Sequence, residues 1–286
     1  MRVCVLSGKG GAGKTLVAVN LAHSVDEARY IDCDIEEPNG AIFLKPGIVH
    51  TQWVNVKTPQ RIEDRCKGCR KCVDFCQFHA LAFVKNSVMI FPELCHSCGG
   101  CVKVCPTGAL RETDRCIGTV EKGKAGNTSF AHGILSQGEP SGVPIIKHLL
   151  ADVQDGGPVI IDCPPGSACT AMESMEGCDF CLLVAEPTLF GVHNLKMVYG
   201  LTKVFSIPCG VVINKAVPGN EVARRFCKQY DIPVLMEVPY EKRIAKLSSE
   251  GEMISEKIPQ YRQKFAALYS AMQEVAGDET ISHSQR

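Results

Sequence analysis

The sequence predicts an α/β fold in which a parallel sheet is flanked by helices and a small α+β unit is inserted. Three observations indicate this. The apolar run MRVCVLSG at 1–8 is followed by LVAVNLAHSV, which has helical spacing, and other apolar runs such as PVIIDCPPG at 158–166 also end in polar residues and glycine. Between the first run and the helix lies GKGGAGKT, the pattern of a phosphate-binding loop. The third observation is a duplicated motif that contains eight of the 17 cysteines.

The composition is that of a globular chain. Of the 286 residues, 45% are hydrophobic and 22% are charged, which suffices for one large core or two modest domains. Lysine plus arginine equals aspartate plus glutamate at 31 each, so we expect no nucleic-acid partner and no stable membrane anchor. No apolar stretch reaches the roughly 20 residues of a membrane helix, and no secretory signal is present. A cytoplasmic location is therefore expected.

The phosphate-binding loop fits the spacing G-x-x-x-x-G-K-S/T and follows a predicted strand, as this motif requires. Its glycines let backbone N–H groups approach the phosphates, and the helix that starts near Lys14 adds the positive end of its dipole. We expect Lys14 to contact the β- and γ-phosphates and Thr15 to bind Mg²⁺. The nucleotide-binding positions predicted in this loop are Gly8, Gly10, Gly11, Ala12, Gly13, Lys14 and Thr15.

Three further segments place polar residues at the ends of predicted strands, where open parallel sheets bind ligands. ARYIDCD at 28–34 ends in Asp32 and Asp34. PVIIDCPPG contains Asp162, a candidate for holding Mg²⁺ through water, and Gly166, whose N–H can contact the γ-phosphate. VVINK at 211–215 contains Asn214, whose amide can pair with the N6 and N7 edge of adenine and so favours ATP over GTP.

The cysteine motif indicates iron–sulfur clusters. The spacing C-x2-C-x2-C-x3-C occurs twice at a shift of 29 residues, and CQFHAL at 76–81 corresponds to CPTGAL at 105–110. Zinc sites typically use two C-x2-C pairs, whereas this spacing matches 4Fe-4S clusters in which the fourth cysteine of each run serves the other cluster. The predicted ligands are Cys66, Cys69, Cys72 and Cys105 for the first cluster, and Cys95, Cys98, Cys101 and Cys76 for the second.

The segment that carries the cysteines is basic. Between Arg61 and Arg111 it has eight basic and four acidic residues. Two oxidised clusters carry negative charge, so compensation of that charge is the favoured interpretation. A docking face for an acidic redox partner is the alternative.

Two resemblances extend these predictions. KGGAGKT at 9–15 resembles the deviant Walker A loop of the MinD, ParA, Mrp and nitrogenase iron protein superfamily of SIMIBI-type P-loop NTPases, over about 1–50 and 115–270. Residues 60–112 resemble a bacterial two-cluster ferredoxin, with Gln77 where that family has proline. The first resemblance implies that Lys9 reaches the partner's phosphates across a nucleotide-sandwich dimer; a solvated loop lysine is the alternative. It also implies that Asp34 positions the attacking water, with Asp32 as an outer ligand or a satisfied carboxylate.

These resemblances imply an ATPase domain at 1–57 and 115–286 with a ferredoxin-like domain inserted at 58–114. The implied function is slow hydrolysis of Mg-ATP by a dimer with itself or a paralogous ATPase, coupled through two 4Fe-4S clusters to electron transfer to an unidentified redox protein. Two alternatives remain: a redox-sensing positioning ATPase of the MinD or ParA kind, and a cluster scaffold or carrier of the Mrp kind.

Two further features remain open. Cys169, seven residues after Asp162, matches a position where the nitrogenase iron protein binds an intersubunit cluster, and Cys116 is a candidate second ligand. Packing in the core is the alternative for both. The C-terminal stretch has an apolar stripe with helical spacing, which we expect to dock on the sheet and not on a membrane. The stripe consists of Ile258, Tyr261, Phe265, Leu268, Met272 and Val275.

Overall fold

The structure is a computed structural model that describes residues 1–151, 153 and 156–284, with side chains as far as residue 277. The strands are β1 Arg2–Leu6, β2 Arg29–Asp32, β3 Gly47–Arg61, β4 Leu81–Val84, β5 Ser87–Ile90, β6 Leu110–Ala125, β7 Thr128–Leu135, β8 Val159–Asp162, β9 Phe180–Ala185, β10 Cys209–Ala216 and β11 Val234–Pro239. The helices are α1 Lys14–Ser24, α2 Gly40–Leu44, α3 Lys71–Phe75, α4 Gly100–Lys103, α5 Val143–Ala151, α6 Cys169–Met175, α7 Leu189–Phe205, α8 Val222–Gln229, α9 Lys242–Ser249, α10 Ile254–Lys257 and α11 Pro259–Ser284.

One sheet of nine strands runs through the described part of the chain in the order β11-β10-β9-β1-β8-β2-β7-β6-β3. Every pair from β11 to β7 is parallel, as predicted, but β6 pairs antiparallel with β7 and β3 antiparallel with β6. The predicted α/β fold is confirmed, with the correction that the sheet is mostly, and not wholly, parallel. The apolar pattern did not predict β3 and β6, because these antiparallel strands are partly exposed and lack the continuous apolar runs of buried parallel strands.

The central strands bury both of their faces. Along β1, Cys4 and Leu6 pack into one core while Val3 and Val5 pack into the other, as the alternation of a strand requires. Helices α5, α6, α7 and α8 cover the first face, and α1, α10 and α11 cover the second. The predicted C-terminal stripe lies in this second core, where Phe265 is fully buried. Among the described residues, no helix is long and apolar enough to cross a membrane.

Residues 62–109, between β3 and β6, form a small unit with its own core and its own hairpin of β4 and β5. The 29-residue repeat is visible in the backbone, because α3 and α4 begin at equivalent positions, Lys71 and Gly100. Left-handed backbone conformations recur at the same spacing in the pairs Gly68 and Ser97, Arg70 and Gly99, and His79 and Gly108. The boundaries 58 and 114 fall inside the paired strands β3 and β6, and the division into domains there stays a prediction.

Candidate nucleotide and cluster sites

The glycine-rich loop occupies residues 7–13, between β1 and the first residue of α1. Gly11 and Gly13 have φ angles of +78° and +92°, which favour glycine. A Cβ at Gly13 would lie 2.0 Å from Nδ2 of Asn214, and one at Gly8 would lie 2.2 Å from the backbone oxygen of Asn194. Both positions therefore exclude larger residues. A Cβ at Gly10 would have no other atom within 4 Å, so the backbone of Gly10 is accessible to a ligand.

The loop borders a cleft of about 970 Å³ at the carboxyl ends of the parallel strands. This is the edge at which open α/β sheets bind ligands, and the volume is that of a cofactor site. The predicted residues that line it are Lys9, Gly10, Gly11, Gly13, Lys14, Thr15, Asp34 and Asn214. Gly8, Ala12, Asp162 and Gly166 lie beside these residues but do not line the cleft. Tyr240 and Glu241, which follow β11, also line the cleft.

Lys14 lies between two of the predicted carboxylates. Its Nζ is 2.5 Å from Oδ1 of Asp162 and 3.4 Å from Oδ2 of Asp34. The Lys14 side chain is 6% exposed, and Asp162 is fully buried. Burial acts to lower the pKa of Lys14, but Asp162 and Asp34 more than offset this and raise it. The structure thus brings a permanent positive charge and two carboxylates together at the base of the cleft.

A second carboxylate network lies just beneath. Asp32 is fully buried, and its side-chain oxygens accept backbone N–H bonds from Asp34 (3.0 Å) and Gly40 (2.9 Å). The Tyr30 hydroxyl donates to Asp162 (2.9 Å) and approaches Asp32 (3.4 Å). Burial and the nearby charge of Asp162 raise the pKa of Asp32 to about 8. Burial also raises the pKa of Asp34, although Lys14 opposes this.

Lys9 is bound within its own chain. Its Nζ lies 2.7 Å from Oε2 of Glu186 and 5.4 Å from the ring centre of Phe190. Glu186 also accepts from Lys215 at 2.5 Å, and Lys215 donates to the Gly11 carbonyl at 2.9 Å. Burial acts to raise the pKa of Glu186, but the hydrogen bonds from Lys215 and Lys9 lower it.

Sequence reasoning missed the roles of Tyr30, Glu186, Phe190 and Lys215. For Glu186 and Lys215, the signal was that VAEPT at 184–188 and VVINK at 211–215 end in polar residues at the nucleotide-binding edge. The Tyr30–Asp162, Lys9–Glu186 and Lys9–Phe190 contacts join residues more than 100 positions apart, so spacing along the sequence could not identify them.

Asn214 and Gly166 already have partners in this structure. The Asn214 amide donates to the Ala12 carbonyl at 2.8 Å and is 4% exposed, so it supports the loop. The Gly166 N–H donates to the Ser7 carbonyl at 2.8 Å. Adenine recognition by Asn214 and γ-phosphate contact by Gly166 stay predictions, and each requires its present hydrogen bond to be exchanged.

The two predicted sets of cysteines each converge. Cys66, Cys69, Cys72 and Cys105, which come from both runs, line one small cavity. Burial raises the pKa of Cys72, and the neighbouring thiols of Cys105 and Cys66 add to this. In the other set, burial raises the pKa of Cys101 to about 11, with contributions from Cys95, Cys98 and Cys76.

Backbone groups also point at the cysteine sulfurs. Ala80 N–H donates to Cys76 Sγ at 3.3 Å, and the equivalent Ala109 N–H donates to Cys105 Sγ at 3.2 Å. Hydrogen bonds of this kind tune iron–sulfur clusters. In the described residues, no three His, Cys, Asp or Glu side chains converge tightly enough to hold one metal ion. A 4Fe-4S cluster does not require such convergence, because its four thiolates bind four different irons, and the donor set fits that group.

Cys116 and Cys169 are both exposed. Cys116 lies in β6, where its Sγ is 3.4 Å from the Gly118 carbonyl oxygen, and Cys169 begins α6. Nothing in the chain as described joins them into one site, and an intersubunit cluster at these positions stays a prediction.

A row of ionisable residues crosses the sheet from the nucleotide site to β6. On neighbouring strands, Asp162 is in register with Asp32, Asp32 with His132, and His132 with Glu121. His132 is 6% exposed, and its Nε2 lies 3.0 Å from Oε2 of Glu121. Glu121 belongs to β6, whose first residue, Leu110, lines the cavity of the first cysteine set.

A glycine-rich loop between a strand and a helix, at the carboxyl edge of a mostly parallel sheet, defines a P-loop nucleotide-binding protein. The chain belongs to the CobQ/CobB/MinD/ParA nucleotide binding domain family, whose sequence model matches residues 3–254. It is thus a P-loop nucleotide-binding protein of the family that includes MinD and ParA.

One similar protein matches almost the whole chain, and another matches about a quarter of it. The uncharacterized protein MJ0578 of Methanocaldococcus jannaschii is 27% identical over 279 residues, 96% of this chain and 97% of that protein. The polyferredoxin protein MvhB of Methanothermus fervidus is 37% identical over 84 residues, 26% of this chain and 18% of that protein.

Two solved structures support the fold. The cell division ATPase MinD of Pyrococcus furiosus matches with a TM-score of 0.57 at 16% identity, and the match covers 95% of this chain and 98% of the MinD chain. The septum site-determining protein MinD of Pyrococcus horikoshii, complexed with Mg-ADP, has a TM-score of 0.57 at 19% identity and covers 96% of both chains.

Proposed function

We propose that the protein is an ATPase that holds two 4Fe-4S clusters and couples nucleotide-dependent dimerisation to electron transfer to a partner protein. One observation carries the proposal. Strand β6 lines the cavity of one cysteine set with Leu110 and contacts, through Glu121, the row of ionisable residues that ends at Asp162 in the nucleotide site.

The nucleotide half of the proposal assigns roles by position. Lys14 exchanges its carboxylate partners for the β- and γ-phosphates, while Thr15 and, through water, Asp162 hold Mg²⁺. Asp34 positions the attacking water, because it lines the cleft whereas Asp32 is fully buried and bound by backbone N–H groups. Lys9 leaves Glu186 and reaches the phosphates bound by the other subunit, where its charge stabilises the transition state.

The cluster half rests on the two convergent cysteine sets. Cys66, Cys69, Cys72 and Cys105 hold the first cluster, and Cys95, Cys98, Cys101 and Cys76 hold the second. The partial similarity to the polyferredoxin MvhB supports this assignment. Each cluster supplies a site that accepts and releases one electron. The chain orients the sulfurs through the Ala80 and Ala109 N–H bonds and surrounds them with a small apolar core.

Coupling between the two halves is carried by the sheet. A triphosphate adds negative charge beside Asp162 and removes Lys14 from it, which changes the field on Asp32 and, one strand further, on His132. The Glu121–His132 contact then transmits the change to β6. By linkage, reduction of the clusters must alter nucleotide affinity by the same factor by which nucleotide alters cluster reduction.

The test compares Lys14→Ala and Lys9→Ala in anaerobically purified protein. We expect Lys14→Ala to lose ATP binding, and Lys9→Ala to bind ATP as a monomer without turnover, with the same cluster EPR signals in both. Redox titration with and without Mg-ATP then measures coupling. Normal turnover in Lys9→Ala would exclude the trans role, and midpoint potentials unchanged by Mg-ATP in wild type would exclude the coupling. Donation of the clusters to an apo-acceptor would indicate a scaffold instead.

A further inference from the structure

The two cysteine runs differ in the charges that surround them. The first run has a cation at four positions beside or between its cysteines. These are Arg65, Lys67, Arg70 and Lys71. The equivalent positions, 29 residues later, are Leu94, His96, Gly99 and Gly100. Asp74 and Lys103, at one further equivalent position, reduce the difference without removing it. The repeat therefore provides an internal comparison between a basic and a nearly neutral cluster environment.

All four cations of the first run are exposed. Among the side chains that the structure describes, no carboxylate lies within 4.0 Å of any of the four. The neighbouring carboxylate of Glu63 pairs instead with Arg61. Lys67 and Arg70 line the same cavity as the first cysteine set. Four like charges thus remain unneutralised beside one proposed cluster.

Charge compensation, the simpler interpretation of this basic segment, does not account for the asymmetry. Both runs have the same ligand spacing and the same left-handed backbone positions, so the second set shows that this geometry forms without the four cations. Clustered, exposed cations without carboxylate partners also repel one another, and Arg70 lies 5.9 Å from the ring centre of Phe83, which does not neutralise its charge. A role outside the unit explains their presence better than a role in holding the cluster.

We propose that Arg65, Lys67, Arg70 and Lys71, here called the basic face, form the docking surface for an acidic electron-transfer protein that accepts electrons from the first cluster. This inference rests on the proposed cluster-binding function. Complementary charge steers such partners together and sets their orientation. A partner seated on Lys67 and Arg70 lies against the wall of the first cavity, since both residues line it.

The direction of transfer follows from the charges. Nearby cations stabilise the reduced, more negative cluster, so the first cluster has a higher midpoint potential than the second and electrons collect there. Carboxylates of a docked partner neutralise the cations and lower that potential. In the transfer step the reduced first cluster loses one electron and the partner's redox group gains it, with no proton transferred and no bond made or broken.

The experiment uses full-length protein purified anaerobically, with iron content measured first. The probe is an oxidised plant-type 2Fe-2S ferredoxin, which is acidic, and basic cytochrome c is the opposite-charge control. The test variant combines Lys67→Glu with Lys71→Glu. The matched control combines Lys85→Glu with Lys103→Glu, which makes the same charge change elsewhere on the unit.

We expect calorimetry to show that the wild-type protein binds ferredoxin and that this binding weakens as salt is added. Relative to wild type, the affinity for ferredoxin should fall by about 10-fold or more in the test variant and by less than about 2-fold in the control. The test variant should also lower the midpoint potential of the first cluster, whereas Lys103→Glu in the control acts on the second cluster, because Lys103 lies two residues after its ligand Cys101. Carbodiimide should couple ferredoxin carboxylates to Lys67 or Lys71, as mapped by mass spectrometry.

Equal affinity of the two variants, or equal binding of ferredoxin and cytochrome c, would overturn the docking proposal. So would displacement of ferredoxin by duplex DNA at the same concentration, since that identifies the basic face as a general polyanion site. Protein without iron would refute the proposed function itself, whereas full iron content without ferredoxin binding refutes only the docking surface.

Discussion

Replacing Glu186 with glutamine should strengthen nucleotide-dependent dimerisation. Glu186 holds Lys9 against its own chain through a 2.7 Å contact, and this contact must break before Lys9 can reach the other subunit. Glutamine keeps the shape of the side chain but removes its charge. Lys215 keeps its 2.9 Å hydrogen bond to the Gly11 carbonyl, so the phosphate-binding loop retains that support.

The magnitude follows from the exposure of the pair. The side chains of Lys9 and Glu186 are 29% and 12% exposed, and ion pairs in such positions contribute roughly 0.5–1 kcal/mol. A symmetric dimer breaks two of these contacts. The substitution therefore lowers the free energy of dimerisation by about 1–2 kcal/mol, which corresponds to about a 5- to 30-fold smaller dissociation constant.

Sedimentation velocity with Mg²⁺ and a non-hydrolysable ATP analogue measures this constant. Glu252→Gln is the matched control, because Glu252 also pairs with two lysines, Lys45 at 2.8 Å and Lys257 at 3.0 Å, and none of these three lines the cleft. An unchanged or weaker dimer in a correctly folded Glu186→Gln protein would refute the idea that Glu186 restrains Lys9.

Three further outcomes are expected. Tyr30→Phe should lower the free energy of unfolding, measured with urea, by about 1–3 kcal/mol, because it removes the donor to buried Asp162 and Asp32; an unchanged value would contradict the network. The pKa of Asp32 rises from 3.8 to about 8 on folding, so the folded, nucleotide-free protein binds more protons between these values and loses stability as pH rises through them. Between pH 5 and 8, the free energy of unfolding of Asp32→Asn should therefore rise relative to that of wild type by up to about 1.4 kcal/mol per pH unit. If the free energies of unfolding of the two proteins change with pH in parallel, this expectation is wrong. Cys105→Ala and Cys69→Ala should each reduce iron from about eight to about four atoms per chain and leave the same EPR signal, because both residues are assigned to the first cluster; different residual signals would show that the two runs do not share ligands.

The sequence by itself determined the features that depend on short spacings. A phosphate-binding loop needs glycines and Lys14 at set positions, and a cluster loop needs cysteines in steps of two, so these patterns predicted both sites and revealed the repeat. The parallel core was predictable for the same reason, since buried strands such as β8 and β9 consist of continuous apolar residues.

The tertiary structure alone decided which distant residues meet. Lys9 contacts Glu186, Tyr30 contacts Asp162 and Asn214 supports Ala12, and more than 100 positions separate each pair along the chain. Strands β3 and β6 could not be predicted either, because they are partly exposed and depend on pairing with each other more than on their own apolar pattern. Local spacing constrains the backbone within a few residues, whereas burial and pairing between remote segments arise only when the whole sheet assembles.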